Sequence, residues 1–116
     1  LLGYCLNEKL LLYPQNNAAI ISLTNDELKK FNFQKGDTEG IVNYGLAIKG
    51  INITILIVER GDVVKLSLRS KGNIEVNKIA SKYFNGGGHI NASGGISYES
   101  VNDTIIKLEN IFKTNF

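Results

Sequence analysis

The stretch INITILIVERGDVVKLSLR, residues 51–69, carries two apolar patterns in succession. Residues 51–59 are β-branched and mostly apolar, which reads as a strand. Arg60, Gly61 and Asp62 then turn the chain. In residues 63–69, Val64, Leu66 and Leu68 alternate with Lys65, Ser67 and Arg69. That period of two marks a half-buried strand with its polar face available. Arg69 ends that polar face, whereas Arg60, the other arginine, sits in the turn beside Asp62 and reads as solvated.

Working towards the N-terminus, Asp37 is placed to cap a helix carrying Ile41, Val42 and Leu46, and Gly36 resets the chain before it. Thr24 with Glu27 forms a capping box that opens a short helix through Leu28 and Phe31. Before it, the apolar runs 10–13 and 18–23 flank a turn at Pro14, Gln15, Asn16 and Asn17, the pattern of a hairpin. Leu1, Leu2, Leu6 and Leu10 fall at near-helical spacing. Towards the C-terminus, Asn77 is placed to cap a helix over residues 78–84, and a short strand is expected at 96–98. Ser100 and Asp103 box a last helix whose Val101, Ile105, Leu108 and Phe112 share one apolar stripe. Strands and helices mix without strict alternation. The expected class is α/β, with α+β as the alternative, built on a mixed sheet flanked by helices.

The 116 residues are one domain's worth of chain, with 43% hydrophobic and 21% charged residues. No apolar run approaches the roughly 20 residues needed to span a bilayer. A net charge of +2 is too mild to announce a nucleic-acid binder by charge alone, and leaves room for a small anion. The single Cys5 excludes an internal disulfide, and a reduced cytoplasmic setting is the plain expectation. With no Met at all, the chain is expected to be the tail of a longer protein, although maturation would also remove the first residue.

Five of the 12 glycines fall within residues 86–95. Three in succession exceed what a helix end requires, since one left-handed residue suffices there. Gly86, Gly87 and Gly88 can alternate backbone signs and aim successive N–H groups at one anion. A helix starting at His89 would add its own free N–H groups. On these residues alone, a phosphate site and a set of tight turns are equal readings. The loop matches neither GxxxxGK[ST] nor GxGxxG, because Asn91 occupies the last glycine position of the second. Arg69 can grip a phosphate through two parallel hydrogen bonds, which Lys cannot do. Metal-dependent chemistry needs clustered ligands, yet the chain has one His, and Asp26, Asp37, Asp62 and Asp103 each sit near a cap or turn. The pair Asp37 and Glu39 is explained by helix capping.

Ser67-Leu68-Arg69-Ser70, then Gly86-Gly87-Gly88-His89, then Ala92 and Gly94-Gly95, resemble the DHH-associated C-terminal domain of DHH-family phosphoesterases. The likeness is to the type found in bacterial oligoribonucleases that also act as phosphoadenosine-phosphate phosphatases, often labelled exopolyphosphatase-related. Residues 36–43 share it. The resemblance implies that residues 1–116 are the substrate-binding domain, with the catalytic DHH domain outside this chain. That N-terminal partner would carry Asp and His ligands for manganese, so this chain alone is expected to be inactive and to bind no metal. By position, Arg69 and Ser70 match strand-end contacts, and Gly86, Gly87, Gly88 and His89 match a phosphate-gripping loop.

The expected ligand is very short RNA or a phosphorylated nucleotide, with Tyr44, Tyr83 or Phe84 as candidates to stack a base. Single-stranded nucleic-acid binding through Arg69, Lys71, Lys78 and Lys82, and inorganic polyphosphate binding, are the alternatives. A homodimer is left open. Ser93 stands where many members of the family have a second Ala. A straight strand puts Arg69 and Ser70 on opposite faces, so both reach one ligand only if the strand bends.

Overall fold

Residues 53–58 are buried without interruption, whereas the next strand alternates between buried and accessible positions. This contrast organises the fold. The structure, a computed structural model, describes residues 2–34 and 36–115, apart from the side chain of Asn115. A helical entry, α1 (Leu2–Tyr4), continues as a π-helical turn (Cys5–Lys9) into β1 (Leu10–Tyr13) and, past a 3₁₀ turn at Pro14–Asn16, β2 (Ala18–Leu23). Then follow α2 (Asn25–Lys30), α3 (Asp37–Ala47), β3 (Ile53–Arg60), β4 (Val63–Ser70), α4 (Val76–Tyr83), β5 (Gly87–His89), β6 (Ala92–Ser97) and α5 (Val101–Asn115). The six strands form one sheet in the order β1-β2-β3-β4-β6-β5. Only β2 and β3 pair in parallel, so the sheet is mixed and the class is α/β as expected.

β3 is buried from Ile53 to Val58, and apolar there except for Thr54, because both of its faces are covered. Ile53, Ile55 and Ile57 pack with Val76, Ile79 and Phe84 around α4 and with Leu108 and Phe112 of α5. Leu56 and Val58 pack on the opposite face with Ile21, Leu23, Ile41 and Val42. α3 lies so close to β3 that a Cβ on Gly45 would stand 2.8 Å from the Thr54 methyl. β4 alternates because only the α4–α5 side of it is fully covered. Val64, Leu66 and Leu68 join that core, whereas no residue of β4, β5 or β6 belongs to the buried cluster under α3.

The N-terminal hairpin and the last helix's stripe are as read from the sequence. The Thr24 capping box is formed, with the hydroxyl accepting from the Glu27 N–H and the Glu27 carboxylate from the Thr24 N–H. At α5, the Ser100 hydroxyl accepts from the Asp103 N–H at 3.1 Å. Two caps differ from expectation. Gly36 precedes α3 with no side-chain cap, and Asp37 reaches backwards to accept from the Gln34 N–H at 2.9 Å. Helix α4 starts at Val76, one residue before Asn77, because the Val76 N–H is taken by the Ile90 carbonyl at 2.9 Å. Asn77 therefore lies inside the helix, its buried Oδ1 without a partner among the described residues. Leu1, expected on the first helix, lies outside the described residues.

Candidate phosphate-binding site

The glycine segment is an edge strand, not a loop leading into a helix. Asn85 supplies the left-handed residue after α4, with φ 50°, and the Gly86 N–H returns to the Ala80 carbonyl at 3.0 Å. The glycines are thereby freed from ending the helix. Residues 87–89 pair antiparallel with β6, and the chain turns back at Ile90 and Asn91. No helix starts at His89 to add its N–H groups, and β6 begins at Ala92, four residues before the strand expected at 96–98. Of the three successive glycines, only Gly88 has positive φ, at 143°, so the alternating nest is not formed either.

The register places the candidate residues. Arg69 pairs with Ala92, and Ala92 pairs with His89, so the three stand in one row across β4, β6 and β5. Paired residues share a face. Arg69 and His89 therefore flank a small Ala92 across two strand spacings, roughly 10 Å. One row along, Ser67 pairs with Gly94, and Gly94 with Gly87, on that same face. The apolar cluster under α3 does not extend to this part of the sheet, and α3 meets it at Arg69 through Glu39. This part forms a shelf, with Arg69 and the exposed His89 at its borders and a floor without side chains at Gly87 and Gly94.

The glycines divide by what surrounds them. A Cβ on Gly86 would meet the Gly94 carbonyl oxygen at 1.9 Å, and one on Gly88 the Ala92 carbonyl oxygen at 2.7 Å. Those two permit β5 to lie against β6. A Cβ on Gly87 would meet nothing within 4 Å, and one on Gly94 only the Leu66 carbonyl oxygen at 3.5 Å. Internal packing does not demand glycine at either position.

Arg69 is held by the sheet and by α3. Its Nη1 donates to the Leu68 carbonyl at 3.0 Å and the Ser93 carbonyl at 3.4 Å, and its Nη2 to Glu39 Oε1 at 2.5 Å. Ser70 faces the other way, as strand alternation requires, and is buried. Its hydroxyl donates to the Ile74 carbonyl at 2.6 Å and accepts from Asn91 Nδ2 at 2.9 Å. It clips the end of β4 to the tip of the β5–β6 hairpin rather than meeting Arg69. A second clip runs from the Ser93 hydroxyl to the His89 carbonyl at 2.7 Å.

The aromatic candidates are not gathered at the shelf. Phe84 is fully buried, and Tyr83 packs against the same core on the α4–α5 side. Tyr44 is exposed on α3 but follows Glu39 by five residues, about 140° round the helix. Sequence reading missed Glu39 as the partner of Arg69, and Ser67 and Gly94 as parts of the shelf. The period-2 spacing of Ser67 with Arg69, and of Ala92 with Gly94, was the signal for the second pair.

Comparison with known proteins accords with this architecture. The DHHA1 domain family matches residues 15–114. The chain belongs to the DHHA1 domain family. This DHHA1 domain is 34% identical over 101 residues to the bifunctional oligoribonuclease and PAP phosphatase NrnA of Bacillus subtilis, covering 85% of this chain and 32% of that protein. It is 35% identical over 102 residues to the probable bifunctional oligoribonuclease and PAP phosphatase NrnA of Streptococcus mutans, with the same coverage of 85% and 32%. The crystal structure of an exopolyphosphatase-related protein from Bacteroides fragilis superposes with a TM-score of 0.91 at 40% identity, over 97% of this chain and 33% of that one. The chain thus spans about a third of the length of each of these relatives.

Among the described residues, no group of three or more His, Cys, Asp or Glu could hold a metal ion, and no helix is long and apolar enough to cross a membrane. The donor set on the shelf is the His89 imidazole, the Arg69 guanidinium, the Ser67 hydroxyl and the Glu39 carboxylate already paired with Arg69. That set does not fit manganese and suits an anion.

Proposed function

We propose that this DHHA1 domain holds a phosphate group of a short oligoribonucleotide or phosphorylated nucleotide, presenting it to a companion N-terminal DHH domain that carries the manganese and the hydrolytic chemistry. The observation that carries the reading is the row Arg69–Ala92–His89 beside the unfilled floor of Gly87 and Gly94. A guanidinium fixed by two backbone carbonyls keeps its geometry before the ligand arrives, which lowers the entropy lost on binding. From the far side of Ala92, the His89 ring can donate a second hydrogen bond. Glycine at the floor lets a ligand approach the backbone without meeting a side chain. The names of the Bacillus subtilis and Streptococcus mutans relatives support oligoribonucleotides and PAP as the substrate class. Ser70, Gly86 and Gly88 serve the site by holding the hairpin in place.

Inorganic polyphosphate is the second reading, favoured by the name of the Bacteroides fragilis relative. A long single strand is less well served. Lys78 pairs with Glu75 at 3.0 Å and Lys82 lies over the Tyr83 ring at 5.2 Å, both on the α4 side, which leaves few cations along the shelf. The test is an amide chemical-shift titration of this chain with a 5′-phosphorylated adenine dinucleotide, followed by competition with polyphosphate. Shifts centred on Arg69, Gly87, His89 and Gly94 are expected, with the dinucleotide displacing the polyphosphate. Shifts confined to α4 and α5 would refute the assignment.

A further inference from the structure

Glu39 lies in the first turn of α3, where helix capping would account for it, but the residue before the helix is Gly36 and no side chain caps it. The Glu39 carboxylate instead crosses to β4 and meets Arg69, Oε1 to Nη2 at 2.5 Å. The two partners are unequal. The Arg69 side chain is 17% exposed and the Leu68 and Ser93 carbonyls hold its Nη1, so the sheet fixes it whether or not Glu39 is present. The Glu39 side chain is 62% exposed on the helix surface and is the one free to leave. A carboxylate offers a guanidinium the same kind of paired oxygens as a phosphate does.

We propose that Glu39 is an internal stand-in for the ligand, a latch that occupies Arg69 in the empty domain and is displaced when a phosphate binds. The inference rests on the phosphate-holding reading given above. Opening the latch costs the same for every ligand that takes Arg69, so it lowers all such affinities by one common factor and leaves their ratios unchanged. Exposed ion pairs set that factor at about 1.4 to 5. The latch also covers the charge of Arg69 until an anion arrives.

The test compares this chain with its Glu39→Gln and Asp37→Asn variants, titrating each with orthophosphate and with a 5′-phosphorylated adenine dinucleotide. The Arg69 side-chain Nε–H resonance is the readout, and thermal melting checks that each variant is folded. Asp37 lies in the same helical turn and makes its bond to the Gln34 N–H, so its variant removes an equal charge without touching Arg69. The latch requires Glu39→Gln to tighten both ligands by one factor of about 1.4 to 5, with a clearly smaller effect from Asp37→Asn. Equal gains from the two variants would reduce Glu39 to one more nearby negative charge and overturn the latch. Weaker binding in Glu39→Gln would make Glu39 a support for Arg69 and also overturn it, while Arg69-dependent binding would leave the phosphate-holding reading standing. If neither ligand moves the Arg69 resonance in any form of the chain, that reading falls and the latch falls with it.

Discussion

Gly86 and Gly94 approach so closely that a Cβ on Gly86 would stand 1.9 Å from the carbonyl oxygen of Gly94. The next residue, Gly87, has nothing within 4 Å of where its Cβ would be. Two adjacent glycines thus differ in what they do. Gly86→Ala must push β5 off β6 and is expected to lower stability by about 1–3 kcal/mol, as overpacking does. Gly87→Ala is expected to keep the fold and to gain about 0.5–1 kcal/mol, since Ala is favoured over Gly within a strand, while weakening ligand binding by placing a methyl group on the shelf. Chemical denaturation of both variants, with a ligand titration of the second, checks the pair. Equal stability losses would remove the distinction.

Ser70 supplies a second test, because the family resemblance makes it a ligand contact and the geometry makes it a clip. Ser70→Ala removes the hydroxyl's bonds to the Ile74 carbonyl and the Asn91 amide, which keep a longer bond to each other at 3.4 Å, and should cost about 0.5–1.5 kcal/mol. Orthophosphate affinity in the folded variant should stay within about twofold, below what losing even one neutral hydrogen bond usually costs. A large affinity loss at unchanged stability would restore Ser70 as a contact.

How far these roles are legible in the sequence depends on periodicity. The mostly apolar run of β3 and the alternation of β4 together announce that the apolar cover on one face thins between them, which is where the shelf begins. The same alternation is enough to put Arg69 and Ser70 on opposite faces. The glycine segment misleads because its residues carry no side chains and therefore no period. What fixes it as a strand is non-local, namely the contact of Gly86 and Gly88 with the β6 backbone and the bond from Ser93 to His89. Glu39 misleads for a related reason. An acidic residue in a first helical turn is adequately explained by the helix itself, and only tertiary packing brings it to Arg69, 30 residues away in sequence.

Far from the shelf, Glu27 joins the helical entry to α2 and carries a pH signature. Burial alone would raise its carboxyl, but hydrogen bonds from the Tyr4 hydroxyl, the Thr24 N–H and Lys9 outweigh it and bring the group from its ordinary 4.5 down to about 2. Between those values the unfolded chain binds more protons than the folded one, so stability rises with pH there. The contribution is complete above about pH 4.5 and is lost as pH falls towards 2. The Tyr4 hydroxyl, held chiefly by its bond to Glu27, is pushed from 10.0 up to about 12, and its contribution is lost as pH rises from 10 through that range. Glu27→Gln should flatten the acid limb of a stability–pH curve measured by denaturant unfolding. An unaltered limb would refute the assignment.

The central claim, that the shelf holds a phosphate through Arg69, is tested most directly by orthophosphate and dinucleotide affinities of Arg69→Ala beside the unaltered chain, with circular dichroism confirming the fold. A charge-assisted, two-point contact is worth enough that both affinities should fall by at least about tenfold. Unchanged affinities in a folded Arg69→Ala variant would contradict the claim.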